Sequence, residues 1–250
     1  MSVTILLGDM RERLADVPDA SVDAIITDPP YGETSLKWDK RVSGWQSLLR
    51  RVLKPGGSMW VFGSLRLFME TAGEYAEWKM SHDVVWEKHN GTGLFNDRFR
   101  RVHELTAHFY PADVPWSSVY VSPQYTNDAR ARVVRKKGRP AQWIGATGET
   151  VYRSEDGGPR LMRSVMYVRS EHGRALHPTQ KPIGMIEPLL AYCCPKNGTV
   201  LDPFAGSGST GIAAKILGRN AILIERNPEY AAIAEKRIKG DAPLFAEVAA

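Results

Sequence analysis

The stretch that most limits what this chain can fold into runs from 198 to 214, Asn-Gly-Thr-Val-Leu-Asp-Pro-Phe-Ala-Gly-Ser-Gly-Ser-Thr-Gly-Ile-Ala. Val200 and Leu201 end a short apolar run, Gly206 and Gly208 permit a tight backbone turn, and Ile212, Ala213, Ala214, Ile216 and Leu217 follow at helical spacing. The pattern predicts a strand, a glycine-rich turn and a helix. Such a unit aims backbone N–H groups and a helix N-terminus at whatever lies above the turn, which suits a carboxylate, a phosphate or a nucleotide-like cofactor. A Gly-x-Gly pair alone serves equally well as a turn that needs glycine only for its dihedrals.

The following segment narrows the choice. Asn220 to Ile224 predict a second strand that ends in Glu225, and Asn227-Pro228 open another helix. An acid at the end of that second strand can accept hydrogen bonds from both ribose hydroxyls of an adenosine-containing ligand. Asp202-Pro203-Phe204 in front of Gly206, Gly208 and Gly211 sets the turn apart from a dinucleotide fingerprint, and no Gly-Lys-Ser/Thr follows to make a Walker A loop.

Near the other end, Val3 to Leu7 read as a strand closed by Gly8-Asp9, and Val22 to Thr27 as a strand running directly into Asp28-Pro29-Pro30-Tyr31-Gly32. Two prolines forbid helix, remove two N–H donors and stiffen the turn, so the Asp28 carboxylate and nearby carbonyls present acceptors without competing donors. With the flat face of Tyr31 beside them, they fit a planar group bearing an NH₂. A rigid Pro-Pro turn with a solvated acid and a packed tyrosine is the plainer reading. Residues 32 to 42 have no period and are expected as a mobile loop over that site. Trp45 to Leu53 and Leu65 to Trp78 predict helices, with strands at Met59 to Phe62 and Asp83 to Trp86.

From Lys88 to about Gly173 the α/β alternation breaks down. Arg98, Arg100 and Arg101 precede a predicted strand at Glu104 to Tyr110, and Arg130, Arg132, Arg135, Lys136, Lys137 and Arg139 crowd into ten positions before Trp143. Cations interleaved with Tyr125, Trp143 and Tyr152 suit a nucleic-acid surface, since cations neutralise phosphates while other side chains read or wedge bases. A charge run by itself is a solvated loop. The net charge of +5 permits a polyanionic partner without requiring one. Cys193 and Cys194, the only cysteines, are adjacent and read as buried small apolar residues. No apolar run approaches a membrane span, and Met1 to Asp9 lack signal-peptide regions, so a cytoplasmic protein is expected. His177, in His177-Pro178-Thr179-Gln180-Lys181-Pro182, has no second ligand at metal spacing, and no metal is expected.

Taken together in this order, Asp28-Pro29-Pro30-Tyr31, His177 to Pro182, and Asp202-Pro203-Phe204-Ala205-Gly206-Ser207-Gly208 resemble the β group of DNA amino-methyltransferases. The resemblance covers most of residues 1 to 240. It implies an α/β, Rossmann-like fold with a seven-stranded mixed sheet, circularly permuted: a catalytic half at 1–87, a target-recognition insert at 88–175 and a cofactor half at 176–250. It further implies S-adenosylmethionine as cofactor and double-stranded DNA as partner, and leaves room for a homodimer. By the same resemblance Asp202, Phe204, Gly206 and Gly208 line the cofactor, Ser207, Ser209, Thr210 and Lys181 hold its methionine end, Glu225 its ribose and Asp9 its adenine amine. Asp28, Pro29, Pro30 and Tyr31 hold the target base. Similar enzymes that act on cytosine N4 more often carry Ser in place of Asp28, which points to adenine N6. A cytosine-N4 enzyme, a DNA-binding relative without catalysis, and an enzyme acting on RNA or a small amine remain the alternatives.

Overall fold

The computed structural model describes residues 1–92, 96–136 and 148–240. Its centre is an eight-stranded sheet built from β1 (Val3–Leu7), β2 (Val22–Thr27), β3 (Leu53–Gly63), β4 (Trp78–Thr92), β5 (Arg101–Pro111), β10 (Val165–Tyr167), β11 (Thr199–Asp202) and β12 (Asn220–Glu225). Their spatial order is β1-β12-β11-β2-β3-β5-β4-β10. Only β5 runs against the rest. Seven strands were expected; the eighth is the three-residue β10, laid parallel on the outer edge of β4.

Strand alternation explains why the sheet is covered on both faces. Ala24, Ile26, Trp60, Phe62, Val200 and Leu223 point to one side, into a core shared with helices α4 (Ile183–Cys193), α5 (Ser209–Leu217) and α6 (Pro228–Lys239). Their neighbours Ile25, Met59, Val61, Leu201 and Ile224 point to the other side, toward Met10 of α1 (Met10–Arg13) and Trp45, Leu49 and Val52 of α2 (Trp45–Val52). Cys193 and Cys194 are fully buried, as expected. Among the described residues no helix is long and apolar enough to cross a membrane.

Two local expectations need correction. The predicted helix from Leu65 to Trp78 is α3 (Leu65–Glu70) followed by a 3₁₀ turn at Ala72–Tyr75, and Trp78 already begins β4. Residues 32 to 42, expected to be mobile, fold round the buried Asp39 carboxylate, which accepts from the N–H groups of Gly32 (2.8 Å), Glu33 (3.1 Å) and Thr34 (2.8 Å) and from the Thr34 hydroxyl (2.7 Å). Those donors hold the Asp39 carboxyl below its ordinary range against the opposing effect of burial. Within the 88–175 expected as the target-recognition insert, residues 123–163 form a separately packed unit, while β4, β5 and β10 belong to the main sheet.

Within that smaller unit β6 (Tyr125–Thr126) pairs with β9 (Arg160–Leu161), and β7 (Arg132–Lys136) with β8 (Thr150–Ser154), both antiparallel. The basic run thus begins as a strand of a two-stranded ribbon. Arg132 and Arg135 are exposed on its opposite faces, and Arg130 is exposed just before it. Lys136 closes β7, whereas Lys137, Arg139 and Trp143 lie outside the described residues.

Candidate active site

Four parallel neighbours, β1, β12, β11 and β2, end on the same edge of the sheet, and each delivers an acid there: Asp9, Glu225, Asp202 and Asp28. At a strand spacing near 4.8 Å the row extends over about 14 Å. Above it lies a single continuous cleft of about 1570 Å³ whose lining includes all four acids. The carboxyl edge of an open parallel sheet is where such folds bind ligands.

At the cofactor end, Gly206 (φ +51°) and Gly208 (φ +79°) occupy left-handed backbone, and Gly208 starts α5. A Cβ on Gly208 would stand 2.8 Å from the Ala234 Cβ, so glycine here also sets the close approach of α5 to α6. Glu225 pins the turn from the side: Oε2 accepts from the Gly206 N–H and Oε1 from the Asn227 N–H, both at 2.8 Å. Each oxygen keeps a lone pair for another donor. Burial raises the Glu225 carboxyl above its ordinary range, with these N–H groups working the other way. Asp202 clamps the turn from beneath, taking the Phe204 N–H (3.1 Å) and the Thr210 hydroxyl (2.6 Å), and burial pushes its carboxyl up to about 7. Asp9 caps α1 through the Arg11 N–H (3.0 Å), leaving its second oxygen out of that bond.

The seryl and threonyl hydroxyls expected at the methionine end are largely engaged by the protein. Ser207 donates to Gln180 Oε1 at 2.9 Å, Thr210 donates to Asp202, and the Ser207 and Ser209 oxygens accept from Arg237 at 2.9 and 3.4 Å. Since each Ser207 and Thr210 proton is already given away, those two hydroxyls can only accept from a ligand, as an ammonium would require. The first-turn N–H groups of α5, which have no intrahelical acceptor, and the Ser209 hydroxyl are donors available on this side of the cleft.

Lys181 departs furthest from expectation. Its ammonium, buried just before α4, lies 2.6 Å from Asp28 Oδ2 and 3.3 Å from Glu104 Oε2, and not on the glycine-rich turn. The Tyr31 hydroxyl donates to Asp28 Oδ1 at 2.6 Å. Glu104 is paired in turn with Lys88 through Oε1. Cross-strand register makes this cluster: Glu104 of β5 lies opposite Trp86 of β4, so Lys88, two residues on, falls diagonally beside it. Burial raises the Asp28 carboxyl even against the adjacent ammonium. Burial would lower the Lys181 ammonium, but Asp28 and Glu104 together raise it. Burial would likewise raise Glu104, yet Lys181 and Lys88 hold it down at about 2. Tyr31 is pushed well up by burial and by Asp28, and so keeps its proton.

His177 is a further residue of the cleft lining. Its ring sits edge-on to Tyr230 (4.2 Å) and tilted to Trp38 (5.0 Å), and a Cβ on Gly206 would face it at 3.7 Å. Burial, with Lys181 nearby, lowers its pKa to about 4, so the imidazole is neutral. No cluster of metal-ligating side chains occurs among the described residues.

The α/β sheet thus carries an acid-lined cleft with a glycine-rich turn at one end and an acceptor-rich Asp-Pro-Pro-Tyr turn at the other. The chain belongs to the DNA methylase family: its N6/N4 model matches residues 22–236. The chain is 29% identical to the Type II methyltransferase M.HinfI of Haemophilus influenzae, covering 94% of this chain and 68% of that one. It is 28% identical to M2.LlaDCHI of Lactococcus lactis subsp. cremoris, over 92% and 87%. The crystal structure of an M1.HpyAVI–SAM complex superposes with a TM-score of 0.62 at 25% identity, covering 94% of this chain and 99% of that one. The PvuII cytosine-N4-specific methyltransferase shares the fold, with a TM-score of 0.63 at 16% identity over 95% and 86%. This is therefore an S-adenosylmethionine-dependent DNA methyltransferase.

Proposed function

We propose that the chain methylates the exocyclic N6 of an adenine flipped out of double-stranded DNA. The reading rests chiefly on the position of Asp28: it stands two strands from Glu225 along the same edge, its two oxygens fixed by Tyr31 and Lys181 and each retaining acceptor capacity. When bound, S-adenosylmethionine supplies a methyl group on a cationic sulfur; the N–C bond forms as the S–C bond breaks, leaving a thioether and a nitrogen with one proton to lose. An exocyclic amine is a poor nucleophile because its lone pair is delocalised into the ring. Asp28 and the Pro29 carbonyl, by accepting both N–H bonds, favour a pyramidal nitrogen whose lone pair faces the methyl. Asp28 also takes the departing proton, a task that suits a carboxyl raised by burial. Alignment across the cleft provides much of the acceleration.

The residues fit the cofactor. Glu225 offers two free lone pairs to ribose hydroxyls, Asp9 an oxygen to the adenine amine, Phe204 an aromatic wall, and the turn at Gly206 leaves the cleft open where a side chain would narrow it. A base stacked in a duplex cannot reach Asp28, so extrusion against Tyr31 is part of the reading. Incubation of unmethylated DNA with methyl-labelled cofactor, digestion to nucleosides and mass analysis should give N6-methyladenine. N4-methylcytosine as the main product rejects the adenine assignment and keeps the chemistry, and no methylated nucleoside rejects the catalytic reading altogether.

The β7–β8 ribbon carries the proposed DNA contacts, since B-DNA's major groove admits a two-stranded ribbon. Replacing Arg130, Arg132 and Arg135 with Ala should weaken DNA binding on all sequences and flatten its salt dependence by roughly one log–log unit per lost phosphate contact. An unaltered salt slope, measured by titration at several ionic strengths, would return the ribbon to a plain solvated surface.

A further inference from the structure

We propose that Glu104 is a positioning residue for methyl transfer: it shares the Lys181 ammonium with Asp28, so that the charged cluster facing the target amine carries no net positive charge. The proposal rests on the reading of Asp28 given above. Without Glu104, Asp28 and the two ammoniums would leave a net positive charge at the place where the acceptor nitrogen becomes cationic. Glu104 stands on the far side of that ammonium, at 3.3 Å, and is held there by Lys88 through its other oxygen. Asp28, Lys181, Glu104 and Lys88 thus make a cluster of zero net charge in which each cation lies against a carboxylate.

Stability does not account for the arrangement. Lys88, Lys181 and Glu104 are almost wholly removed from solvent, and apolar side chains of similar volume generally do as well as a buried ion pair or better. Nor is Glu104 serving the sheet's hydrogen bonding: Oε2 has no hydrogen-bond partner among the described residues, and its nearest charged neighbour is Lys181. The side chain sits where its charge acts on Lys181, and through it on Asp28.

Charge counting gives the test. In Glu104→Gln the cluster becomes +1; in Glu104→Gln/Lys181→Met it returns to zero. Three readings are needed on purified protein with unmethylated DNA: the single-turnover rate at saturating DNA and S-adenosylmethionine, calorimetric affinity for S-adenosylmethionine, and thermal midpoint. Glu104→Gln should slow transfer roughly 10- to 100-fold while cofactor affinity stays within about threefold, and the double variant should be several-fold faster than Glu104→Gln alone. Glu104→Asp, which keeps the charge, should recover part of the rate, and Glu104→Met, which also removes it, serves in place of Glu104→Gln if that one does not fold. A wild-type rate in Glu104→Gln, a double variant as slow as or slower than the single, or a parallel fall in cofactor affinity overturns the proposal. If the unaltered protein methylates no DNA, the reading of Asp28 falls too, an outcome distinct from all of these.

Discussion

Asp28→Ala is expected to reduce methyl transfer by on the order of 10³-fold while leaving affinity for S-adenosylmethionine within a few-fold of the unaltered protein. The substitution deletes the amine's acceptor and the anion that faces the developing cation. It leaves untouched the bonds from Glu225 to the Gly206 and Asn227 N–H groups that shape the cofactor end. It also strands the Tyr31 hydroxyl, whose acceptor was Asp28, and leaves Lys181 to Glu104 alone. Asp28→Asn keeps the shape and one acceptor but not the charge, so its rate should fall between the two. Calorimetry and a labelled-methyl assay separate the effects; a comparable loss of cofactor binding in Asp28→Ala would show that the two ends of the cleft are not independent. The pH profile follows from the same carboxyl. Transfer needs Asp28 ionised, and burial raises its pKa, so the acid limb should lie above the range of an ordinary carboxylate and disappear in Asp28→Asn.

Much of this site was legible because its parts are local. Asp28 follows β2 directly, Glu225 ends β12, and Gly206 and Gly208 sit in the turn after β11, so strand ends and turn chemistry place all of them on one edge once the strands are known to be parallel. The cluster on Lys181 was not legible, because it depends on register. Glu104 meets Lys88 only through the pairing of β5 with β4, and meets Lys181 only because the segment before α4 passes over the same edge. A glutamate just before the buried stretch of β5, with a lysine two residues beyond a tryptophan in the preceding strand, was the available signal. The hydroxyls needed the fold for a different reason: sequence shows that Ser207 and Thr210 flank the turn, but not that Gln180 and Asp202 already accept their protons. The basic run reads in sequence as a nucleic-acid surface or a solvated loop, with no strand expected in it. Its strand character comes from pairing with Thr150–Ser154 and not from its own pattern.

Glu225→Ala should weaken S-adenosylmethionine binding by roughly 30- to 1000-fold, the largest binding effect expected of a single substitution here, with transfer recovering in large part at saturating cofactor. Two losses combine. The ribose hydroxyls lose the acceptor at the end of β12, and the Gly206 and Asn227 N–H groups lose theirs, so the turn before α5 is no longer held from the side. Removing one partner from a buried charged hydrogen-bonding group typically costs about 2–5 kcal/mol, much of it from the groups left unpaired. Glu225→Gln separates the two contributions. Its amide oxygen can keep one N–H, but its NH₂ is a donor facing a second donor, so the turn is damaged on one side only and affinity should be intermediate. The expected signature is a raised dissociation constant and KM for the cofactor with kcat reduced far less than in Asp28→Ala. Glu225→Ala with unaltered cofactor affinity would show that the ribose lies elsewhere in the cleft, and the carboxylate would then be assigned to the turn alone.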